Sequence, residues 1–336
     1  MSENPVYSKK DFVPDQEVKW CPGCGDYAIL SSVQLAMTKI GKKKEDICFI
    51  SGIGCSSRFP YYMNTYGMHT IHGRAPGFAT GLKLANPNLA VWIITGDGDG
   101  LSIGGNHTIH LLRRNLDVNV ILFNNEIYGL TKGQYSPTSR PGLVTKSSPY
   151  GAVDRPFSVA SLTIGAGATF FARTIDTDPK HMMEVFQAAS EHKGTSMVEV
   201  FQNCVIFNDK VHDEVTNRAN RDDTTLRLEH GKPMIFGKEK NKGIRLNGVN
   251  PEVVSIGENG ITEKDLIVHD EASVFLSHML GSFERPHFPI PLGVLKKISL
   301  PTYDDGICDQ IKMVRDKKGP GDMEKVLNSG DTWEVK

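Results

Sequence analysis

From about residue 26 to residue 201, short apolar runs alternate with longer segments of helical period, and this alternation restricts the possible folds more than any other feature. Asp26 is placed to cap a helix carrying Ile29, Leu30, Val33, Leu35, Met37 and Ile40, with Gly41 as its stop. The run Ile47–Ser51 reads as a buried strand that opens into the glycine-rich turn Gly52–Cys55. Helical Gly73–Asn86, strand-like Leu89–Thr95, helical Leu101–Asn115 and the strand Val118–Asn124 come next. A long polar loop leads to helical Pro156–Gly165, the strand Ala168–Thr174, the amphipathic helix Pro179–His192 and the strand Ser196–Phe201. Strands alternating with helices predict an α/β domain whose sheet is mostly parallel, with helices on both faces. Ligands of such sheets bind at the carboxyl ends of the strands. The loops with unusual residues all follow strands here.

Bulk properties remove whole classes of function. Formal net charge is −1 over 336 residues, so no overall basic surface points to nucleic acid or an anionic membrane. The longest apolar stretches, such as Leu89–Thr95 and Val118–Phe123, fall far short of the ~20 residues that span a bilayer. Residues 1–20 have no apolar core and no small-residue cleavage site, so they read as an N-terminal arm, and a cytoplasmic location is expected. The core domain is read as 21–208. Beyond it, 209–260 is charged and turn-rich, with a hairpin around Met234–Leu246. A short strand at Leu266–His269, a helix at Glu271–Leu280, the Pro-rich stretch Pro286–Pro291 and a charged tail from Lys312 complete the chain. Residues 209–336 are therefore expected to form an irregular C-terminal extension that wraps the core or a partner.

Gly96-Asp97-Gly98-Asp99-Gly100 directly follows the strand Leu89–Thr95, and Asn125 ends the next strand 28 positions after Asp97. One strand–helix–strand unit separates the two, so both loops emerge at one sheet edge. A hard divalent ion such as Mg²⁺ takes oxygen ligands and shares its sphere with phosphates. Asp97 offers a carboxylate, Asn125 a side-chain carbonyl and Ile127 a backbone carbonyl. Gly96 and Gly98 let backbone N–H groups approach a diphosphate, and the following helix would turn its positive end toward it. Taken alone, GDGDG is also an ordinary strand-to-helix turn. Paired with Asn124-Asn125 at this separation, it resembles the diphosphate signature of thiamine pyrophosphate (TPP) enzymes. Asp99 is read either as a second carboxylate near the ion or as a solvated turn residue.

Six cysteines occur, and a reducing cytosol favours metal binding or plain burial over disulfides. Cys21-Pro22-Gly23-Cys24 is a C-x-x-C knuckle, suited to half a zinc site, half a mononuclear iron site or two ligands of a [4Fe–4S] cluster. No second C-x-x-C follows. Instead Cys55 lies in the turn Gly52–Ser56 and Cys204 just past the last core strand, both at strand carboxyl ends. Ligands from separate loops beside a cofactor edge suit the cluster first and zinc second. Cys48, inside a strand, and Cys308 read as small buried hydrophobes.

CPGCG at 21–25, GIGCS at 52–56, HGRAPGFATGLKLANP at 72–87, GDGD at 96–99, NNEIYGLTKGQYSPT at 124–138 and the late Cys204 together resemble the β subunit of 2-oxoacid:ferredoxin oxidoreductases, with the two-subunit 2-oxoglutarate type the most similar. The resemblance runs from about Trp20 to Cys204. It implies the TPP diphosphate-binding fold and a [4Fe–4S] cluster on Cys21, Cys24, Cys55 and Cys204. It also implies Mg²⁺ on Asp97, Asn125 and the Ile127 carbonyl, with Gly54, Ser56, Gly96, Gly98, Asp99 and Thr131 at the cofactor. The implied reaction is oxidative decarboxylation of 2-oxoglutarate, with electrons passing singly to ferredoxin and the acyl group to coenzyme A. The carboxylate that activates TPP would come from an α subunit, making that subunit an obligate partner.

Arg58 falls where relatives acting on longer 2-oxoacids carry a cation, and its guanidinium suits the distal carboxylate of 2-oxoglutarate. A surface ion pair is the plainer reading. Leu130 stands where pyruvate-specific relatives have asparagine. His72 is expected to bond the diphosphate or a reacting oxygen, against the plainer role of a helix-capping histidine. Arg74 would pair with phosphate or a partner's carboxylate. His69 and His107 read as structural, and Gln134, like Thr131, resembles family positions near the cofactor. Two alternatives stay open: the same chemistry on pyruvate or another 2-oxoacid, and a non-catalytic nucleotide-binding protein with a structural zinc.

Overall fold

The computed structural model describes residues 5–335; the first four residues of the expected arm and Lys336 lie outside them. Helix α1 (Asp26–Met37), strand β1 (Ile47–Ser51), a 3-10 segment (Ser56–Tyr62), β2 (Tyr66–His69) and α2 (Ala75–Ala85) open the fold. Then come β3 (Ala90–Gly96), α3 (Asp97–Leu101), α4 (Gly105–Arg114), β4 (Asn119–Asn124), α5 (Val159–Gly165), β5 (Phe170–Ile175), α6 (Pro179–Glu191) and β6 (Ser196–Phe201). The C-terminal part holds α7 (Asp213–Thr216), α8 (Arg221–Thr224), β7 (Thr225–Arg227), β8 (Ile235–Phe236), β9 (Lys242–Asn247) and β10 (Asn250–Ser255). It ends with α9 (Val274–Gly281), β11 (Ile290–Lys297), α10 (Tyr303–Lys318) and α11 (Met323–Leu327).

Eight strands form one sheet in the order β2-β1-β3-β4-β6-β5-β11-β7, parallel except where β11 runs against β5. Its central strands are buried on both faces, which is why they appear in the sequence as continuous apolar runs. Alternate residues feed two separate apolar layers. Cys48, Ile50, Val91, Ile93, Val120 and Leu122 pack with α2, α4, α5 and α9. Ile47, Phe49, Trp92, Ile94, Ile121 and Phe123 pack with α1 and α6 on the other face. Phe12 and Trp20 are buried in that second layer, so the described part of the arm lies against the core.

Three expectations need correcting. The extension is only partly irregular, because β7 and β11 enter the main sheet and β8, β9 and β10 form a small antiparallel sheet in the region expected to hold a hairpin. Around 266–269 the expected strand is reduced to a bridge between Pro233 and Val268, flanked by backbone hydrogen bonds to 231–234 and Ile244. Leu101–Asn115 is not one helix. Asp97–Leu101 makes a turn of its own, and the chain folds back at Gly104, where a Cβ would sit 2.4 Å from the Asp99 carbonyl oxygen and 3.0 Å from Gly73 Cα. Only glycine fits that approach.

Candidate active site

The carboxyl ends of β1, β3, β4 and β6 meet round two adjoining cavities, of about 490 Å³ and about 220 Å³. Gly54, Ser56, His72, Gly96, Asp97, Gly98, Asp99, Asn125, Ile127, Thr131 and Gln134 line the larger one. Cys21, Cys24, Cys204 and Arg58 line the smaller one. Cys55, Asn125, Gly129 and Leu130 face both. These four residues form a common wall.

Strand β3 delivers Asp97 at the start of α3, buried at 2% exposure. Its Oδ2 accepts hydrogen bonds from Ser136 Oγ at 2.5 Å and Thr138 Oγ1 at 2.6 Å. Burial pushes the Asp97 carboxyl up to about 6 despite those donors. A cation would therefore be its natural complement. Gly98 must be glycine, since a Cβ there would lie 2.3 Å from the Tyr128 ring, whose hydroxyl donates to the Gly98 carbonyl at 3.0 Å.

Asp99 lines the larger cavity beside Asp97 and is not the solvated turn residue of the plainer reading. It is buried, and its Oδ1 accepts from Ile53 N at 3.0 Å, Gly73 N at 2.7 Å and His72 Nδ1 at 2.7 Å, while Oδ2 accepts from Thr95 Oγ1 at 2.7 Å. One carboxylate thus ties the loops after β1, β2 and β3 together and turns the His72 ring. His72 precedes α2 without capping it; the N-cap is Arg74. Arg74 donates to the Ile103 carbonyl at 3.1 Å and stands outside both cavities, and His69 pairs with the Tyr61 hydroxyl at 3.2 Å.

Asn125 Nδ2 donates to Gln202 Oε1 at 2.7 Å, and its Oδ1 accepts from Ile127 N at 3.2 Å. Thr131 and Gln134 bond each other through Gln134 Nε2 and the Thr131 carbonyl at 2.9 Å, which closes the loop after Asn125. Leu130 is half exposed on its rim.

The knuckle is held by Cys24 N donating to the Cys21 carbonyl at 3.1 Å and by Gly25 N donating to the Asn203 carbonyl at 3.2 Å. The buried Trp20 donates from Nε1 to the Cys55 carbonyl at 2.7 Å. A Cβ on Gly129 would stand 3.6 Å from both the Cys55 and Cys204 sulfurs, so those two sulfurs face the same small space. Burial, followed by the Asp26 carboxylate and neighbouring thiols, pushes Cys55 up to about 12, and burial likewise raises Cys24. Thiols in this setting become thiolates once a cation joins them. Among the described residues, no three His, Cys, Asp or Glu side chains close round a point as a single ion requires. Arg58 also lies near Cys55, where its charge opposes the upward shift, and does not line the larger cavity.

Sequence reasoning missed Ser136, Thr138 and Gln202. The first two stand inside the 124–138 motif, and Gln202 sits two positions before Cys204 at the end of β6. Their nearness to those motifs is the one sequence signal that marks them.

Residues 52–200 match the family described as thiamine pyrophosphate enzyme, C-terminal TPP binding domain. The chain is 48% identical over 331 residues to the 2-oxoglutarate oxidoreductase subunit KorB of Mycobacterium tuberculosis, covering 97% of this chain and 88% of the relative. It is 46% identical over 192 residues to the 2-oxoacid:ferredoxin oxidoreductase subunit beta of Saccharolobus solfataricus, covering 56% of this chain and 63% of that one. Among solved structures, the 2-oxoglutarate:ferredoxin oxidoreductase from Magnetococcus marinus, with 2-oxoglutarate, coenzyme A and succinyl-CoA bound, superposes with a TM-score of 0.77 at 33% identity and covers 98% of both chains. Among the described residues, no helix is long and apolar enough to cross a membrane.

Proposed function

This chain belongs to the β-subunit family of the 2-oxoacid:ferredoxin oxidoreductases, and from that premise we propose how its own residues serve the reaction. It is the β subunit of a TPP-dependent 2-oxoglutarate:ferredoxin oxidoreductase, which takes 2-oxoglutarate, coenzyme A and oxidised ferredoxin to succinyl-CoA, CO₂ and reduced ferredoxin. The carrying observation is the common wall: Cys55, Asn125, Gly129 and Leu130 line both the cavity of the diphosphate motif and the cavity of the thiols.

Asp97, Asn125 and the Ile127 carbonyl would hold the Mg²⁺ of the cofactor's diphosphate. Gly96 and Gly98 leave the cavity wall open to that group, and Ser56 offers it a hydroxyl. Asp99 accepts from His72 Nδ1, which leaves Nε2 to accept from a donor on the cofactor or substrate, or to donate to an oxygen there when the ring is doubly protonated. When bound, TPP supplies the carbon nucleophile and the electron sink for decarboxylation. Cys21, Cys24, Cys55 and Cys204 would hold a [4Fe–4S] cluster, which supplies a one-electron exit toward ferredoxin. Arg58 and Leu130, at the thiol side and on the common wall, are assigned to substrate choice. Asp97 and Asp99 are the carboxylates on the larger cavity among the described residues, and both are committed. That supports an obligate α subunit as the source of the carboxylate that activates the cofactor. Thiol ligation also fits a reducing compartment such as the cytoplasm.

Anaerobic co-purification with the α subunit tests this reading. About four irons per αβ unit, a broad band near ~400 nm and 2-oxoglutarate-dependent reduction of a low-potential acceptor are expected. A colourless zinc protein, or an iron protein without that turnover, would refute it.

A further inference from the structure

We infer that Gln202 is a positioning residue shared by the two cavities, which fixes the Asn125 amide for the cofactor's metal ion and donates a hydrogen bond to a cluster ligand, Cys24. This rests on the reading of the two cavities given above. Gln202 directly follows β6, is 1% exposed, and its backbone N–H donates to the Asn124 carbonyl at 2.9 Å. Its side-chain Oε1 accepts from Asn125 Nδ2 at 2.7 Å. Its Nε2 lies 3.3 Å from Cys24 Sγ and 2.6 Å from the Asn203 carbonyl oxygen.

Backbone groups set the sense of both amides. The Asn203 carbonyl can only accept, so Gln202 Nε2 must face it. The Ile127 N–H can only donate, so Asn125 Oδ1 must face it. A directed chain therefore runs from the Asn125 amide through Gln202 to the Cys24 sulfur. At one end, tying Nδ2 to Gln202 leaves Oδ1, the atom a hard divalent ion takes, with the Ile127 N–H as its protein partner and a lone pair to spare. At the other end, an N–H aimed at a ligand sulfur favours the reduced cluster, which carries one more negative charge, and so raises its potential. The Asn203 carbonyl that orients Gln202 also receives the Gly25 N–H at 3.2 Å, so the knuckle and the amide chain share one anchor.

The test compares the assembled αβ enzyme in wild-type form with Gln202→Leu and Gln202→Glu. Iron content, the midpoint potential from an EPR-monitored titration, and the affinity of the TPP-free enzyme for TPP with Mg²⁺ are read for each. Gln202→Leu should keep its iron and accept an electron with an about tenfold smaller equilibrium constant, a downward shift of about 59 mV. It should also bind TPP–Mg²⁺ about tenfold more weakly. Gln202→Glu keeps an acceptor for Asn125 but loses the donor to Cys24. Its cofactor affinity should return to within about twofold of wild type while its potential stays depressed. Leaving both quantities unmoved in Gln202→Leu, or moving only one, overturns the shared role, as does loss of the cluster from both variants, which marks a scaffold residue. A wild-type enzyme without iron overturns the underlying reading and this inference together, whereas an iron-loaded wild type with unshifted variants overturns the inference alone.

Discussion

Asp99 receives four hydrogen bonds, from the loops after β1 and β2 and from Thr95 near the end of β3, two of them from backbone amides. Leaving such buried donors unpaired costs about 1–3 kcal/mol each, so Asp99→Ala should lose about 3 kcal/mol or more of unfolding free energy in urea titrations. The same variant should lose cofactor affinity, since His72 is released. Near-wild-type stability would show that the carboxylate is not the clasp described here. Arg58 offers a sharper functional test. If its guanidinium meets the distal carboxylate, Arg58→Ala should raise KM for 2-oxoglutarate far more than for 2-oxobutyrate, which lacks that group. Equal losses on both substrates would remove the assignment, and the position of Arg58 beside Cys55 would then mark it as an electrostatic neighbour of the thiols.

At the scale of elements, β11 decides whether the C-terminal third is ornament or framework. Leu292 and Leu295 on this strand are fully buried. Leu292→Ala is expected to cost about 2–5 kcal/mol by chemical denaturation; a loss under about 1 kcal/mol would mean that the extension contributes little to the core. The sequence concealed this strand because Pro291 interrupts it and Gly293 holds φ +112, features that read as loop. Strand β2 was hidden for the opposite reason: all four residues of this edge strand are exposed, so no alternation or apolar run announces it. Ile47–Ser51 and Ser196–Phe201, by contrast, were legible to the residue, because strands buried on both faces read as predominantly apolar runs, with Glu199 as the one charged residue, paired to Arg173. The site divides the same way. Glycines, aspartates and cysteines in fixed order showed where the cofactor edge lies. Thr138 and Gln202 act through partners 41 and 77 positions away, and nothing local in the chain encodes such pairings.

For the molecule as a whole, the larger cavity is walled by committed carboxylates and opens beside the half-exposed Leu130, so the site is expected to be completed from outside the chain. The β chain purified alone and anaerobically should retain its iron and its cooperative unfolding yet show no 2-oxoglutarate turnover, with activity appearing on addition of the α subunit. Turnover by the isolated chain would contradict this. The common wall also bears on how such enzymes diversify. If the two cavities serve as proposed, a mutation at Cys55 or Asn125 would disturb cofactor space and electron exit in one stroke, so lineages could not explore the two traits separately there. New substrate ranges should accordingly be written at Leu130, a wall residue with no ligand atom to lose, and at positions touching the larger chamber alone, such as Thr131 and Gln134, while Cys55 and Asn125 stay nearly frozen across descendants.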